Sequence, residues 1–255
     1  MLLVIDIGNT NTVMGVYKGN ELACGWRIRT EKQTTEDEFN LLLKGLFSGE
    51  RIKLYNIKKT IISSVVPTMA MILNSFCLKY MTHEPHWVSA ESVSQRMPIL
   101  YKNPSEVGAD RIVNSVAAFH KYKKEMVIID FGTATTFDAI SRKGEYLGGA
   151  ISPGIGISSE ALFNKASKLP RVEIFQPPGP VIGKQTSESI QSGIIYGYAG
   201  LVDGIVTRMK KELGGDPVVI ATGGLAPLME KVSETIESVE PDLTLEGLRL
   251  IGGGI

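Results

Sequence analysis

An internal echo runs through the chain. One segment reads Leu2-Leu3-Val4-Ile5-Asp6-Ile7-Gly8-Asn9-Thr10-Asn11-Thr12, and a second reads Val127-Ile128-Ile129-Asp130-Phe131-Gly132-Thr133-Ala134-Thr135-Thr136. Each is an apolar run, then Asp-x-Gly, then small hydroxyl-bearing residues. Each continues into a second strand-like stretch and a turn: Val13 to Tyr17 before Lys18-Gly19-Asn20, and Phe137 to Ile140 before Arg142-Lys143-Gly144. A single Asp-x-Gly-x-Thr is an ordinary strand-end turn. Two of them, half a chain apart and in the same strand–turn–strand context, point to a duplicated unit.

The remaining pattern is alternating α/β. Thr35-Glu36-Asp37-Glu38 has capping-box spacing and opens an apolar-periodic run from Phe39 to Phe47. Thr60 to Val66 reads as a buried strand stopped by Pro67, and Thr68 to Met81 as a helix. Further helices are predicted over Ala109–Tyr122, Ser158–Leu169 and Ser187–Leu213, a strand over Pro217–Ala221, and a last helix from about Pro227. No Pro/Ser-rich linker marks a boundary. The predicted division is residues 1–115, carrying the first loop and the Gly108–Arg111 motif, and residues 116–255, carrying the second loop and Thr222-Gly223-Gly224.

Composition narrows the function classes. The 255 residues carry 27 basic and 27 acidic side chains, so the net charge is zero and no basic excess signals a nucleic-acid partner. The cluster Lys121, Lys123, Lys124 reads as a solvated helix end. Cys24 and Cys77 lie in apolar stretches outside any CxxC pair and read as free thiols of a reducing compartment. The apolar N-terminus is broken by Asp6 and lacks a basic leader, and no apolar run approaches the ~20 residues of a membrane span. The expectation is a cytoplasmic protein without a membrane or nucleic-acid partner.

The loops carry the chemistry. Glycine after a buried strand lets the backbone turn sharply, so that its N–H groups point at phosphate oxygens. The neighbouring Asn and Thr add short donors, and the Asp is a natural ligand for Mg²⁺ through water. Asp6, Gly8, Asn9, Thr10 and Asn11 fit that part in the first half; Asp130, Gly132 and Thr133 fit it in the second, and the pair is expected to clamp a triphosphate. Gly223-Gly224 after an apolar strand suits a nucleotide base or ribose. Other nucleotide motifs fail: 179–186 is one residue short of a P-loop and has Gln185 after its lysine, and 154–159 lacks the third glycine of a dinucleotide fingerprint. Phosphoryl transfer to a hydroxyl also needs a carboxylate beside that hydroxyl. Asp110, in Glu106-Val107-Gly108-Ala109-Asp110-Arg111, is the candidate, although Asp in a first helical turn is also a routine placement. His83, His86 and His120 are assigned no metal.

Taken together, these residues resemble a known family. The loops resemble the phosphate motifs of the superfamily of actin, sugar kinases, acetate kinase and heat-shock chaperone ATPases. With Gly108-Ala109-Asp110-Arg111 and Gly148-Gly149-Ala150-Ile151-Ser152-Pro153-Gly154, in order along nearly the whole chain, they look like type III pantothenate kinase. The resemblance implies an α/β fold of two duplicated actin-like (ribonuclease H-like) domains with a central nucleotide cleft, and ATP-dependent phosphorylation of pantothenate to 4'-phosphopantothenate, the first step towards coenzyme A. It implies that Asp6, Ile7, Gly8, Asn9, Thr10, Asn11, Thr12 and Val13 hold ATP phosphates, with Thr133 on the opposing loop. It implies that Asp110 is the proton acceptor, and that Tyr101, Gly108, Ala109, Asp110, Arg111 and Thr186 line the pantothenate pocket. Asp130 would hold a monovalent cation, K⁺ or NH₄⁺. The residues alone put Asp130 on the magnesium side with Asp6, and both assignments stay open. The family is a homodimer. A tail ending Ile251-Gly252-Gly253-Gly254-Ile255 departs from the charged tail expected. Two rivals stand beside this assignment: a nucleotide-binding regulator on the same fold, with no need of Asp110, and a kinase of another small hydroxyl compound such as an amino sugar.

Overall fold

The computed structural model describes residues 1–174 and 176–253; Gly254 and Ile255, part of the unexpected tail, lie outside the described residues. The chain divides into two compact units, one of Met1–Lys121 plus the C-terminal stretch from Leu243, the other of Tyr122–Asp242.

The first unit holds strands β1 (Leu2–Ile7), β2 (Asn11–Lys18), β3 (Glu21–Arg29), β4 (Lys59–Ser64) and β5 (His86–Trp87) in the order β3-β2-β1-β4-β5. Helix α1 (Glu36–Gly49) joins β3 to β4, α2 (Thr68–Phe76) joins β4 to β5, and the short α3 (Ala90–Val93) and α4 (Ala109–Tyr122) follow. The expected capping box is present: Thr35 accepts from the Glu38 N–H while the Glu38 carboxylate accepts from the Thr35 N–H. β1 is antiparallel to β2 and parallel to β4, so it is central and covered on both faces, which is why it reads as an apolar run. Leu3, Ile5, Ile7 and Met14 pack with Phe39, Leu43 and Phe47 of α1 and Met69, Leu73 and Phe76 of α2. The Phe39 and Phe76 rings meet edge to face with centroids 5.0 Å apart. The alternation of a strand puts Asp6 on the opposite face from this core.

The second unit holds β6 (Met126–Phe131), β7 (Ala134–Ile140), β8 (Tyr146–Pro153), β9 (Val218–Thr222) and β10 (Ser238–Val239), ordered β10-β9-β6-β7-β8. Between β8 and β9 come α5 (Ile155–Lys165) and the 28-residue α6 (Thr186–Leu213); α7 (Ala226–Met229) precedes β10. Strand for strand this is the first sheet again. Asp6 pairs with Val13 and Ser63; Asp130 pairs with Thr136 and Thr222. Even the irregularity repeats, at Val16/Tyr17 in β2 and Ala139/Ile140 in β7. The echo in the sequence is thus a repeated five-stranded unit.

Several boundaries differ from the sequence expectation. α2 stops at Phe76 and continues as a wider turn over Cys77–Met81, closed by Thr82 at φ 59°. α5 begins at Ile155 rather than Ser158. The helix expected from Pro227 is only four residues, because Asp203 of α6 captures the next segment: its carboxylate accepts from the Ser233 and Thr235 hydroxyls and from the Glu234 and Thr235 N–H groups.

The division of the chain also differs. The compact units meet at 121/122 rather than 115/116, and the C-terminal helix α8 (Leu243–Gly253) joins the first unit. Glycine explains that attachment. A Cβ on Gly247 would lie 2.2 Å from the Val113 carbonyl oxygen, and one on Gly252 would lie 2.5 Å from Ile61 Cγ1. The missing side chains let α8 seat directly on α4 and β4. Its last carbonyls are closed by basic side chains from earlier in the chain: Lys59 Nζ donates to Gly252 O at 2.6 Å, and Arg96 Nη1 to Leu250 O at 2.8 Å.

Candidate active site

In the first unit, Asp6 sits near the carboxyl end of β1, where open α/β sheets bind ligands. The turn behind it is tight: Gly8 N donates to Asn11 O at 3.0 Å, and a Cβ on Gly8 would stand 3.1 Å from that oxygen. The strand-end residue Thr30 braces it. Its hydroxyl donates to Gly8 O at 2.8 Å and sits 2.9 Å from Thr12 Oγ1, and its N–H donates to Thr10 O at 3.0 Å. Lys32 Nζ reaches Asn9 Oδ1 at 3.2 Å. Asn9 and Thr10 are exposed, as ligand-facing donors must be, whereas Thr12 is buried in the brace.

The Asp6 carboxyl accepts from Ser63 Oγ at 2.6 Å. Its pKa is pushed up to about 7, chiefly by burial and further by the negative charge of Asp110; the Ser63 hydrogen bond and Arg27 oppose the rise. Asp6 is half-buried as a residue, but its carboxyl is closely surrounded. An acid raised on folding holds a proton that the unfolded chain has lost, so ligand-free stability falls as pH climbs from about 4 towards 7 and then levels. Asp6→Asn is therefore expected to raise the melting temperature at pH 8, by a few kcal/mol of stability at most, with the gain shrinking at pH 5. Melts of the ligand-free protein at both pH values check this; a variant less stable than wild type at pH 8 would mean the carboxylate is a net stabiliser.

Asp110 opens α4. Its Oδ1 accepts from the Arg111 N–H at 2.8 Å. Burial raises its pKa, while the Arg111 N–H and the Arg111 charge hold it down. A Cβ on Gly108 would come within 2.5 Å of Asp110 Oδ1, so the glycine makes room for the carboxylate. Arg111 is buried, only 8% exposed. The charge of Asp110 reaches Asp6 and raises its pKa, so the loop motif and the Gly108–Arg111 motif lie in one neighbourhood of the first unit. Tyr101 lies on the preceding loop, 38% exposed; Asn103 Nδ2 closes that loop by donating to Glu106 Oε1 at 3.0 Å.

In the second unit the same end of the sheet gathers three motifs. Gly132 N donates to Ala134 O at 3.0 Å, copying the Gly8 turn with one residue fewer. Gly223, at φ 92°, lies where a Cβ would be 2.6 Å from Phe131 O and 2.7 Å from Asp130 Oδ1. Gly154 presses on the turn from another side: its N–H donates to Thr133 O at 3.1 Å, and a Cβ there would be 2.3 Å from the same oxygen. Tyr198 of α6 holds this wedge, its hydroxyl donating to Pro153 O at 2.9 Å. Asp130, Thr133 and Gly223 are therefore neighbours, with exposed Gly224 following. Thr186 is the first residue of α6, whose cap position is Gln185. It borders a mostly apolar pocket of about 280 Å³ with Leu162, Leu169, Ser189, Ile190 and Ile194.

A cavity of about 640 Å³ in the first unit, between Lys44, Phe47, Arg51, Tyr55 and Tyr80, contains no motif residue. Enclosure does not mark the site; strand-end turns do. The sequence reasoning missed Thr30, Ser63 and Tyr198. Thr30 follows an alternating strand directly, a visible but weak signal, whereas the other two are revealed only by register and packing.

A family model described as type III pantothenate kinase matches residues 2–208. Over 251 residues the chain is 66% identical to the type III pantothenate kinase of Desulfatibacillum aliphaticivorans, covering 98% of this chain and 97% of the relative. The chain belongs to the type III pantothenate kinase family. A second family member, from Desulforapulum autotrophicum, is 65% identical over 98% of this chain and 96% of its own length. Among solved structures, the Acidaminococcus fermentans (R)-2-hydroxyglutaryl-CoA dehydratase component A matches with TM-score 0.56 at 14% identity, covering 97% of this chain and 94% of that one. The Thermus thermophilus ROK hexokinase matches with TM-score 0.51 at 11% identity, covering 99% and 97%. These distant matches show the fold, the two-domain α/β architecture of actin-like kinases and ATPases, and the pantothenate kinase motifs sit on it at the strand ends described above.

Proposed function

We propose that this chain transfers the γ-phosphoryl group of ATP to the primary hydroxyl of pantothenate, giving 4'-phosphopantothenate for coenzyme A synthesis in the cytoplasm. The observation that carries the proposal is the convergence of Asp6 and Asp110 in the first unit, one behind a phosphate-type turn and the other given room by a glycine. The Gly8–Asn11 turn, with Asn9 and Thr10 exposed, binds phosphate oxygens through backbone N–H groups and the Asn9 and Thr10 side chains. Thr133 does the same from the second unit, and Gly223-Gly224 give the nucleoside a flat backbone surface. Asp110 accepts the hydroxyl proton; its pKa, raised by burial, makes it a better base than a solvated carboxylate. Tyr101, Arg111 and Thr186 orient pantothenate, with Arg111 the partner of its carboxylate. Catalysis is then positioning and charge neutralisation.

The donor set fits the ions that the family implies. Among the described residues no group of three or more His, Cys, Asp or Glu could cage a metal. Magnesium held by one carboxylate, water and substrate phosphates needs no such cage, and Asp6 is placed to supply that carboxylate. When bound, magnesium would offset phosphate charge during transfer. Asp130, flanked by Gly132 and Gly223, is assigned to K⁺ or NH₄⁺, with magnesium the alternative. Among the described residues no helix is long and apolar enough to cross a membrane. A homodimer is supported by exposed apolar side chains in the second unit, among them Ile151, Ile157, Phe163, Val181 and Ile182.

A coupled assay with ATP across a panel of acceptors, with and without K⁺, tests the proposal. Turnover specific to pantothenate and dependent on the monovalent cation is expected. ATP binding without turnover would favour a regulator, and turnover on an amino sugar would replace the acceptor.

A further inference from the structure

Arg27 and Arg29 of β3 have been given no role so far. Register places one of them beside the reacting groups. Asp6 pairs with Val13 across β1/β2, and Val13 pairs with Arg27 across β2/β3. Directly paired residues point to the same face, so Arg27 shares the face of Asp6, opposite the α1/α2 core. Arg29, paired with Asn11, shares that face two residues farther along, at the phosphate turn itself. The strand spacing of about 4.8 Å puts Arg27 roughly 10 Å from Asp6 between Cα atoms. No ion pair closes that gap among the described residues, and an anion lying between the two side chains is within reach of Arg27. Both arginines are exposed, and among the described residues neither side chain has a hydrogen-bond or ion-pair partner. Arg27 is nevertheless close enough to lower the Asp6 pKa. The same strand end already serves the turn through Thr30 and through Lys32 on Asn9.

We infer that Arg27 is a phosphate-binding residue of the transfer site, its guanidinium engaging the terminal phosphates of ATP across the β-sheet row from Asp6. Arginine suits this role because its planar fork matches phosphate oxygens and its charge does not titrate away. Arg29, next along the strand, extends the same positive face towards the turn. The assignment rests on the proposed phosphotransfer and adds to it a residue outside the family motifs quoted above.

The test uses the full-length protein and two readouts. Equilibrium titration with a non-hydrolysable ATP analogue and with ADP, in magnesium, compares wild type with Arg27→Gln and Arg27→Lys. Wild type is expected to bind the analogue more tightly than ADP. Arg27→Gln is expected to erase that preference and to lower kcat/KM for ATP about 100-fold, while KM for the acceptor changes little; Arg27→Lys should recover part of both. A melting temperature within a few degrees of wild type separates lost contact from lost fold. Arg27→Gln with an unchanged ATP-over-ADP preference would overturn the inference, whatever its turnover. If wild type binds ATP through Arg27 but phosphorylates no acceptor, the proposed function fails and the phosphate contact stands.

Discussion

Asp110→Asn is expected to lower kcat by roughly 10²- to 10⁴-fold while leaving ATP affinity nearly unchanged. The amide is almost isosteric and keeps an oxygen that can accept from the Arg111 N–H, so the local geometry at the start of α4 persists. What is lost is the ability to take a proton. The routine role of an acidic residue in a first helical turn predicts something different: a small stability loss and no kinetic effect. Here the carboxylate is buried and its pKa raised, so neutralising it costs the fold little. A variant with a wild-type melting curve and nucleotide affinity but a collapsed kcat separates the two roles. Wild-type turnover in Asp110→Asn removes Asp110 as the base.

Gly154→Ala carries the second large effect, through the other unit. The backbone dihedrals of Gly154, φ −71° and ψ 158°, suit any residue, so the glycine is needed for space rather than for conformation. A methyl there would lie 2.3 Å from Thr133 O and 2.7 Å from Gly132 O. Those atoms are backbone and cannot swing aside, and Tyr198 holds the Pro153 carbonyl from behind. The second turn must therefore shift by something approaching an ångström. A misplacement of that size costs on the order of 100-fold in catalytic efficiency. The expected result is a fall of that order in kcat/KM for ATP, with KM for the acceptor little changed. Steady-state kinetics in both substrates would measure it. An alanine variant with wild-type ATP kinetics would show that the turn tolerates displacement, and would weaken the phosphate role of Thr133.

Much of this architecture was legible in the residues, for identifiable reasons. β1 and β6 are central strands covered on both faces, so they appear as apolar runs interrupted only at Asp6 and Asp130. Helix α1 announced itself through Thr35 and Glu38, and α4 matched its expected span, Ala109–Tyr122. The outer strands were harder. β3 alternates half-buried with exposed residues and contains Gly25, and β8 contains Gly148 and Gly149, so neither has the density of a core strand. Arg27 was hidden for the same reason: on an edge strand an arginine looks like surface until register aligns it with Asp6. The glycines of α8 misled most directly. In the sequence Gly252 stood only in a tail without the charge expected; it is a close-packing position, and only three-dimensional contact with Ile61 reveals it.

The return of α8 to the first unit has a consequence for biosynthesis. The ribosome makes β1 to β5 early, but the helix that seats on β1 and β4 is made only after the whole second unit. The second unit, Tyr122–Asp242, is continuous and can fold as it emerges, whereas the first stays open on one face until α8 has been made. Nascent chains stalled before Leu243 should thus hold a protease-resistant second half and a digestible first half, and a short C-terminal truncation should damage the beginning of the protein more than its middle.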